Sequence, residues 1–127
     1  MEVCGTHTSS IAKNGIHAML PEYIQLVSGP GCPICVTPAG FIDKLITYSK
    51  QPGYSVIVFG DMLNVPGNVD SLASAGHARY VYSPFEVINI AEQHNETMFI
   101  FGAVGFETTA AVYAALTKSK PLYFSAL

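Results

Sequence analysis

Two short stretches carry the groups best suited to soft-metal or electron chemistry. "CGTH" sets Cys4 and His7 three apart, and "CPIC", inside the Gly/Pro-rich run "SGPGCPICVT", does the same for Cys32 and Cys35. They use all three cysteines of a 127-residue chain. Three chemistries follow. A structural zinc site could draw on Cys4, Cys32, Cys35 and His7, a set of three thiolates and one imidazole. A thiol-disulfide exchange site could use Cys32 and Cys35 alone, with Pro33 restraining the loop and a following helix N-terminus favouring thiolate. A third arrangement makes Cys4 a thiolate ligand to a transition metal while Cys32 and Cys35 cycle between dithiol and disulfide beside it. His7, flanked by Thr6 and Thr8, serves as base, hydrogen-bond donor or metal neighbour, or as a cap within "THTSS".

Composition limits the setting of this chemistry. Six Lys and Arg against nine Asp and Glu give a net charge of -3, so no basic stripe exists for a nucleic-acid backbone. No apolar run is long enough to span a membrane, and "MEVCGTHTSS" has neither the basic flank nor the apolar stretch of a secretory signal. The expected setting is cytoplasmic and reducing, where three cysteines stay thiols and chemistry outweighs stapling.

The elements that must position these groups alternate. Strands are expected at 23–28, 55–60, 78–83, 97–103 and 121–126, and helices near 8–19, 38–50, 69–76, 84–94 and 107–118. "VIVF" and "MFIF" lack polar alternation, which reads as parallel strands covered on both faces. Thr37 with Pro38, and Ser83 with Pro84 and Glu86, read as helix starts, the second a capping box. The fold class is therefore α/β, an open, mostly parallel, Rossmann-like sheet with flanking helices. Ligands of such sheets settle at the carboxyl ends of strands, so "GPGCPIC", "GDMLNVPG", "YSPFE" and "GAVGFETT" are expected to share one rim. That draws attention to Asp61, Asn64, Glu107 and Thr108, each of which also has an ordinary turn or helix-start role. The polar stretch near 92–97 suggests a division into residues 1–94 and 95–127, and the last strand, with no helix after it, suggests a truncated second domain.

Five stretches in order, "EVCGTHT", "GPGCPICVTP", "FGDMLNVPG", "YSPFE" and "GFETTA", resemble the HypD family of [NiFe]-hydrogenase maturation proteins. The resemblance implies a two-domain α/β protein with a central cleft, and a scaffold on which the Fe(CN)2CO centre is assembled with a HypC-like chaperone and a HypE-like cyanide donor. By motif, Cys4 becomes the iron-contacting thiolate and His7 its close neighbour. Cys32 and Cys35 become the redox-active pair, with Asp61 and Glu107 lining the same region. Position 64 is Asn where the resemblance leads to a basic residue. The [4Fe-4S] cluster of the family is expected only in a longer chain, since its ligands lie in a cysteine-rich C-terminal part. Set against this scaffold are a thiol-disulfide oxidoreductase built on Cys32 and Cys35, and a zinc-stabilised binding module.

Overall fold

The computed structural model describes residues 1–29, 31–94, 96–118 and 123–126. The chain divides into two compact units, Met1–Val36 and Thr37–Leu127.

In the first unit, α1 (Gly5–Lys13) is followed by a single turn, α2 (Ile16–Met19). One helix over 8–19 was expected, and Asn14-Gly15 breaks it. The Asn14 N–H and side-chain amide both donate to the Ser10 carbonyl, at 3.1 and 2.8 Å, closing α1. Gly15 then adopts a left-handed φ of 62°, open to glycine without a Cβ penalty. The strand expected at 23–28 does not form. A single parallel bridge between Glu2 and Ser28 takes its place, because the N-terminal residues offer only a short partner. The Glu2 N–H donates to the Val27 carbonyl at 2.9 Å, and the Gly29 N–H returns to the Glu2 carbonyl at 2.5 Å.

The second unit is an α/β/α sandwich. It contains α3 (Ala39–Ser49), β1 (Tyr54–Phe59), α4 (Leu72–Ala75), β2 (Ala78–Val81), α5 (Pro84–Gln93), β3 (Met98–Ala103), α6 (Glu107–Leu116) and β4 (Tyr123–Ala126). The four strands lie in the order β2-β1-β3-β4, all parallel. Because side chains alternate along a strand, the apolar runs supply both faces. Ile57, Phe99, Phe101 and Ala103 join Val81, Val87 and Leu116 in one core, with Tyr113 and Ile88 packed against it. On the other face, Gly102 lies under Leu45 of α3 and beside Val58, and α3 buries Phe41, Ile42, Leu45 and Ile46.

The helix starts are met in modified form. Ser83 caps α5 by accepting from the Phe85 N–H at 3.3 Å with Pro84 next, but the Glu86 carboxylate accepts from Tyr82 rather than from the cap residue itself. Helix α3 begins one residue later than expected, with Pro38 as its N-cap residue. Residues 121 and 122 of the expected last strand lie outside the described residues. The expected boundary at 94/95 does not interrupt this sheet, since β3 pairs with β1 from Tyr54↔Met98 to Ile57↔Phe101. Among the described residues no helix is long and apolar enough to cross a membrane.

Candidate functional site

The first unit brings the cysteines together by pairing its two ends. The Glu2↔Ser28 bridge sets the N-terminal segment beside the loop that carries "CPIC". Two glycines make that loop possible. A Cβ on Gly29 would stand 2.8 Å from the Glu2 carbonyl oxygen and 3.2 Å from Val3 Cα, and Gly31 holds φ at 98°. Cys32 to Val36 then form a turn closed by the Val36 N–H to the Cys32 carbonyl at 3.1 Å.

The result is a triangle of sulfur. Cys32 Sγ lies 2.6 Å from Cys35 Sγ, Cys35 Sγ lies 4.0 Å from Cys4 Sγ, and all three fall within 4.8 Å of one another. Cys4 and Cys32 are half-buried and Cys35 is exposed, so the cluster opens to solvent. Cys4 occupies the N-cap of α1 without using its side chain there, leaving its sulfur to face Cys35.

Electrostatics divide the CxxC pair. The Cys32 thiol donates to the Cys35 sulfur, the largest influence bringing Cys35 down from an ordinary 9.0 to about 7, and the Gly5 amide adds to it. Cys32 moves up, first because it is that donor and then through burial. The helix expected to favour thiolate was the one after the pair. Here the supporting amide belongs instead to the first turn of α1, directly after Cys4. Cys35 also borders a shallow, open groove along α1 lined by Gly5, Thr6, Ser9, Ser10 and Lys13.

His7 does not join the sulfurs. Its Nδ1 lies 3.4 Å from the Glu2 carboxylate, and the metal-capable group comprises Cys4, Cys32 and Cys35. The four-ligand zinc set with His7 is therefore replaced by a set of three thiols alone. Glu2 is the residue that the sequence reading missed. Its Oε1 accepts from the Cys4 N–H at 2.8 Å and faces His7, so one carboxylate holds both members of "CGTH". The signal was present as Glu-x-Cys-x-x-His.

The Cys4 amide, foremost, keeps the Glu2 carboxyl below its ordinary 4.5. A depressed acid contributes its contact above the unfolded pKa and loses it as pH falls through the folded one. Protection of the Cys4 amide from hydrogen exchange is thus expected to persist through neutral pH and to fall only below 4.5. It is expected to fall further in Glu2→Ala than in Glu2→Gln, as read by NMR.

The other expected site residues lie in the second unit. Asp61 sits in the 3-10 turn Gly60–Met62 directly after β1, Asn64 is exposed in the next turn, and Glu107 and Thr108 open α6 after β3. The N-cap of α6 is Phe106, and Thr108 is exposed in its first turn. β1 and β3 are neighbours at the point where the strand order reverses, and the turns that carry these groups follow the carboxyl ends of those two strands. Three of the four expected rim turns do follow strands. "GPGCPIC" follows none and belongs to the first unit.

The model of the HypD family, described as hydrogenase formation hypA family, matches residues 1–122. The hydrogenase maturation factor HypD of Azotobacter vinelandii is 42% identical over 114 residues, 86% of this chain and 30% of that protein. Its counterpart in Escherichia coli is 41% identical over 113 residues, again 86% and 30%. That of Rhizobium leguminosarum is 39% identical over 124 residues, 94% and 32%. The chain thus spans about a third of the length of these relatives. With its cysteine motifs folded into one cluster and the family match running from residue 1 to 122, the chain belongs to the HypD family of hydrogenase maturation proteins.

Proposed function

We propose that this chain handles the iron of the Fe(CN)2CO centre during hydrogenase maturation, in a reducing cytoplasm. Cys4 holds the iron cargo through its thiolate, and Cys32 and Cys35 act beside it as a two-electron pair. A HypC-like chaperone and a HypE-like cyanide donor are the proposed partners. Asp61, Asn64, Glu107 and Thr108 are proposed as a second set of ligand-contacting groups, and His7 as a hydrogen-bonding neighbour of Cys4. The observation that carries this reading is the convergence of three sulfurs within 4.8 Å, one of them from a separate stretch of sequence. Thiolates suit a soft metal carrying small strong-field ligands. A [4Fe-4S] cluster takes four thiolates, and these 127 residues hold three cysteines.

The test is infrared spectroscopy of the chain isolated without oxygen from cells supplying the maturation partners. Cyanide and carbon monoxide bands are expected with the native chain and should vanish in Cys4→Ser, with circular dichroism unchanged. Bands of undiminished intensity in Cys4→Ser would refute the assignment.

A second reading, thiol-disulfide exchange, is favoured by the 2.6 Å sulfur separation and the Cys35 pKa near 7. It requires that reduction of a model disulfide survive Cys4→Ser and disappear in Cys35→Ser.

A further inference from the structure

The sulfurs stand in a triangle, not a row. With sides of 2.6 and 4.0 Å meeting at Cys35 and no pair beyond 4.8 Å, the angle there is at most about a right angle. Thiol-disulfide exchange proceeds by attack of a thiolate on one disulfide sulfur while the other departs, which needs the three sulfurs close to a line. Cys4 stands beside the CxxC pair and not behind it. It is poorly placed to enter that disulfide and well placed to share a ligand with it.

Metal geometry agrees. Metal–sulfur bonds of about 2.3 Å in a tetrahedral site put neighbouring sulfurs about 3.8 Å apart. The Cys4–Cys35 edge, 4.0 Å, nearly meets this already. The Cys32–Cys35 edge would open by roughly 1 Å, as expected when two thiolates turn toward a shared cation. The fourth position faces solvent, since Cys35 is exposed and His7 is held by Glu2.

We infer that Cys4, Cys32 and Cys35 form one three-thiolate face for a soft metal ion, and that the redox state of the CxxC pair sets how tightly it is held. Reduced, the face offers three sulfurs. Oxidised, it offers Cys4 alone. This deepens the proposed function, on which it rests for Cys4 as a ligand, by giving the site a release step. The step balances with a low-molecular-weight disulfide as oxidant: the Cys32 and Cys35 thiolates give up two electrons and form an S–S bond, the oxidant's S–S bond breaks into two thiolates, and the metal keeps its oxidation state.

Cobalt(II) is the probe, because its thiolate charge-transfer absorption grows with the number of sulfur ligands. Titrated without oxygen, the reduced chain should bind one cobalt ion with a three-thiolate band, and Cys4→Ser and Cys35→Ser should each lose about a third of that intensity. Removing a group that only orients a ligand costs about 10- to 100-fold in metal affinity, so losing two ligands should cost more than about a hundredfold. Oxidised glutathione should accordingly release the ion, and peptide mapping should find a Cys32–Cys35 disulfide with Cys4 free.

Equal affinity in the two redox states, or a one-thiolate band from the reduced chain, would overturn the inference. So would a disulfide to Cys4. The native chain in its two redox states decides the matter even if a cysteine variant fails to fold. Iron-carbonyl bands without redox-dependent cobalt binding would remove this gate and leave the cargo reading intact; gated cobalt binding without those bands would do the reverse.

Discussion

Gly29→Ala is expected to scatter the three sulfurs while leaving the parallel sheet of the second unit intact. The added Cβ would lie 2.8 Å from the Glu2 carbonyl oxygen, 3.0 Å from Val3 Cγ1 and 3.2 Å from Val3 Cα. Two of those three atoms are backbone, so no rotamer change relieves the contact. The segment must withdraw, taking with it the Gly29 N–H to Glu2 carbonyl bond and the Glu2↔Ser28 bridge. Overpacking of this kind costs about 1–3 kcal/mol. Such a cost is severe for residues 1–36, none of which is fully buried among those described. Cys4 lies two residues beyond Glu2, so its sulfur moves away from Cys35 when the bridge opens. The expected readout is loss of the three-thiolate cobalt band, with strand signals of residues 54–59 and 98–103 unchanged by NMR. Gly40→Ala is the matched control. A Cβ there meets nothing within 4 Å, and alanine inside α3 should stabilise it by about 0.5–1 kcal/mol. A Gly29→Ala chain that keeps the cobalt band would show that the bridge does not position Cys4.

What could be read from the residues was what is decided locally. "VIVF" and "MFIF" became β1 and β3 because continuous apolar runs have only one economical placement, in a parallel sheet covered on both sides. Ser83-Pro84 opens α5 as read, since a serine cap and a proline fixed in φ act within one turn. The same local logic failed at "YIQLVS", where β-forming residues found a single bridging partner at Glu2. It failed also at Asn14-Gly15, where side-chain and left-handed backbone geometry ended a helix that the apolar spacing alone would have continued. Within the site, spacing identified Cys4, Cys32 and Cys35 but not what holds them. Glu2 matters because its carboxylate reaches Cys4 and His7 at once, and the Gly5 amide because the chain folds back to Cys35 thirty residues later. Both depend on a closure between distant stretches that no local pattern encodes.

Alkylation of Cys35 is expected to show a midpoint near pH 7, and Cys32→Ala is expected to move it up toward the ordinary 9.0. Several causes lower the Cys35 pKa. The largest is the hydrogen bond from the Cys32 thiol, followed by the Gly5 amide at the first turn of α1. A thiol with pKa near 7 is about half thiolate at neutral pH, whereas one at 9.0 is about 1% thiolate. Reaction with iodoacetamide, followed by mass spectrometry of the peptide carrying Cys35, should therefore approach its plateau by about pH 8 in the native chain. In Cys32→Ala the rate at neutral pH should fall roughly tenfold or more and still be climbing at pH 8. The Gly5 amide survives that substitution, so the midpoint should stop short of the ordinary value. Cys32→Ser separates donor from shape: a serine hydroxyl can still donate to Cys35 and should keep the midpoint lower than alanine does. If Cys32→Ala and the native chain titrate alike, the Cys32 thiol is not what stabilises the Cys35 thiolate. If Cys32 proves the faster-reacting sulfur, the assignment of donor and acceptor within the pair is reversed, and with it the identity of the sulfur that a partner disulfide would meet first.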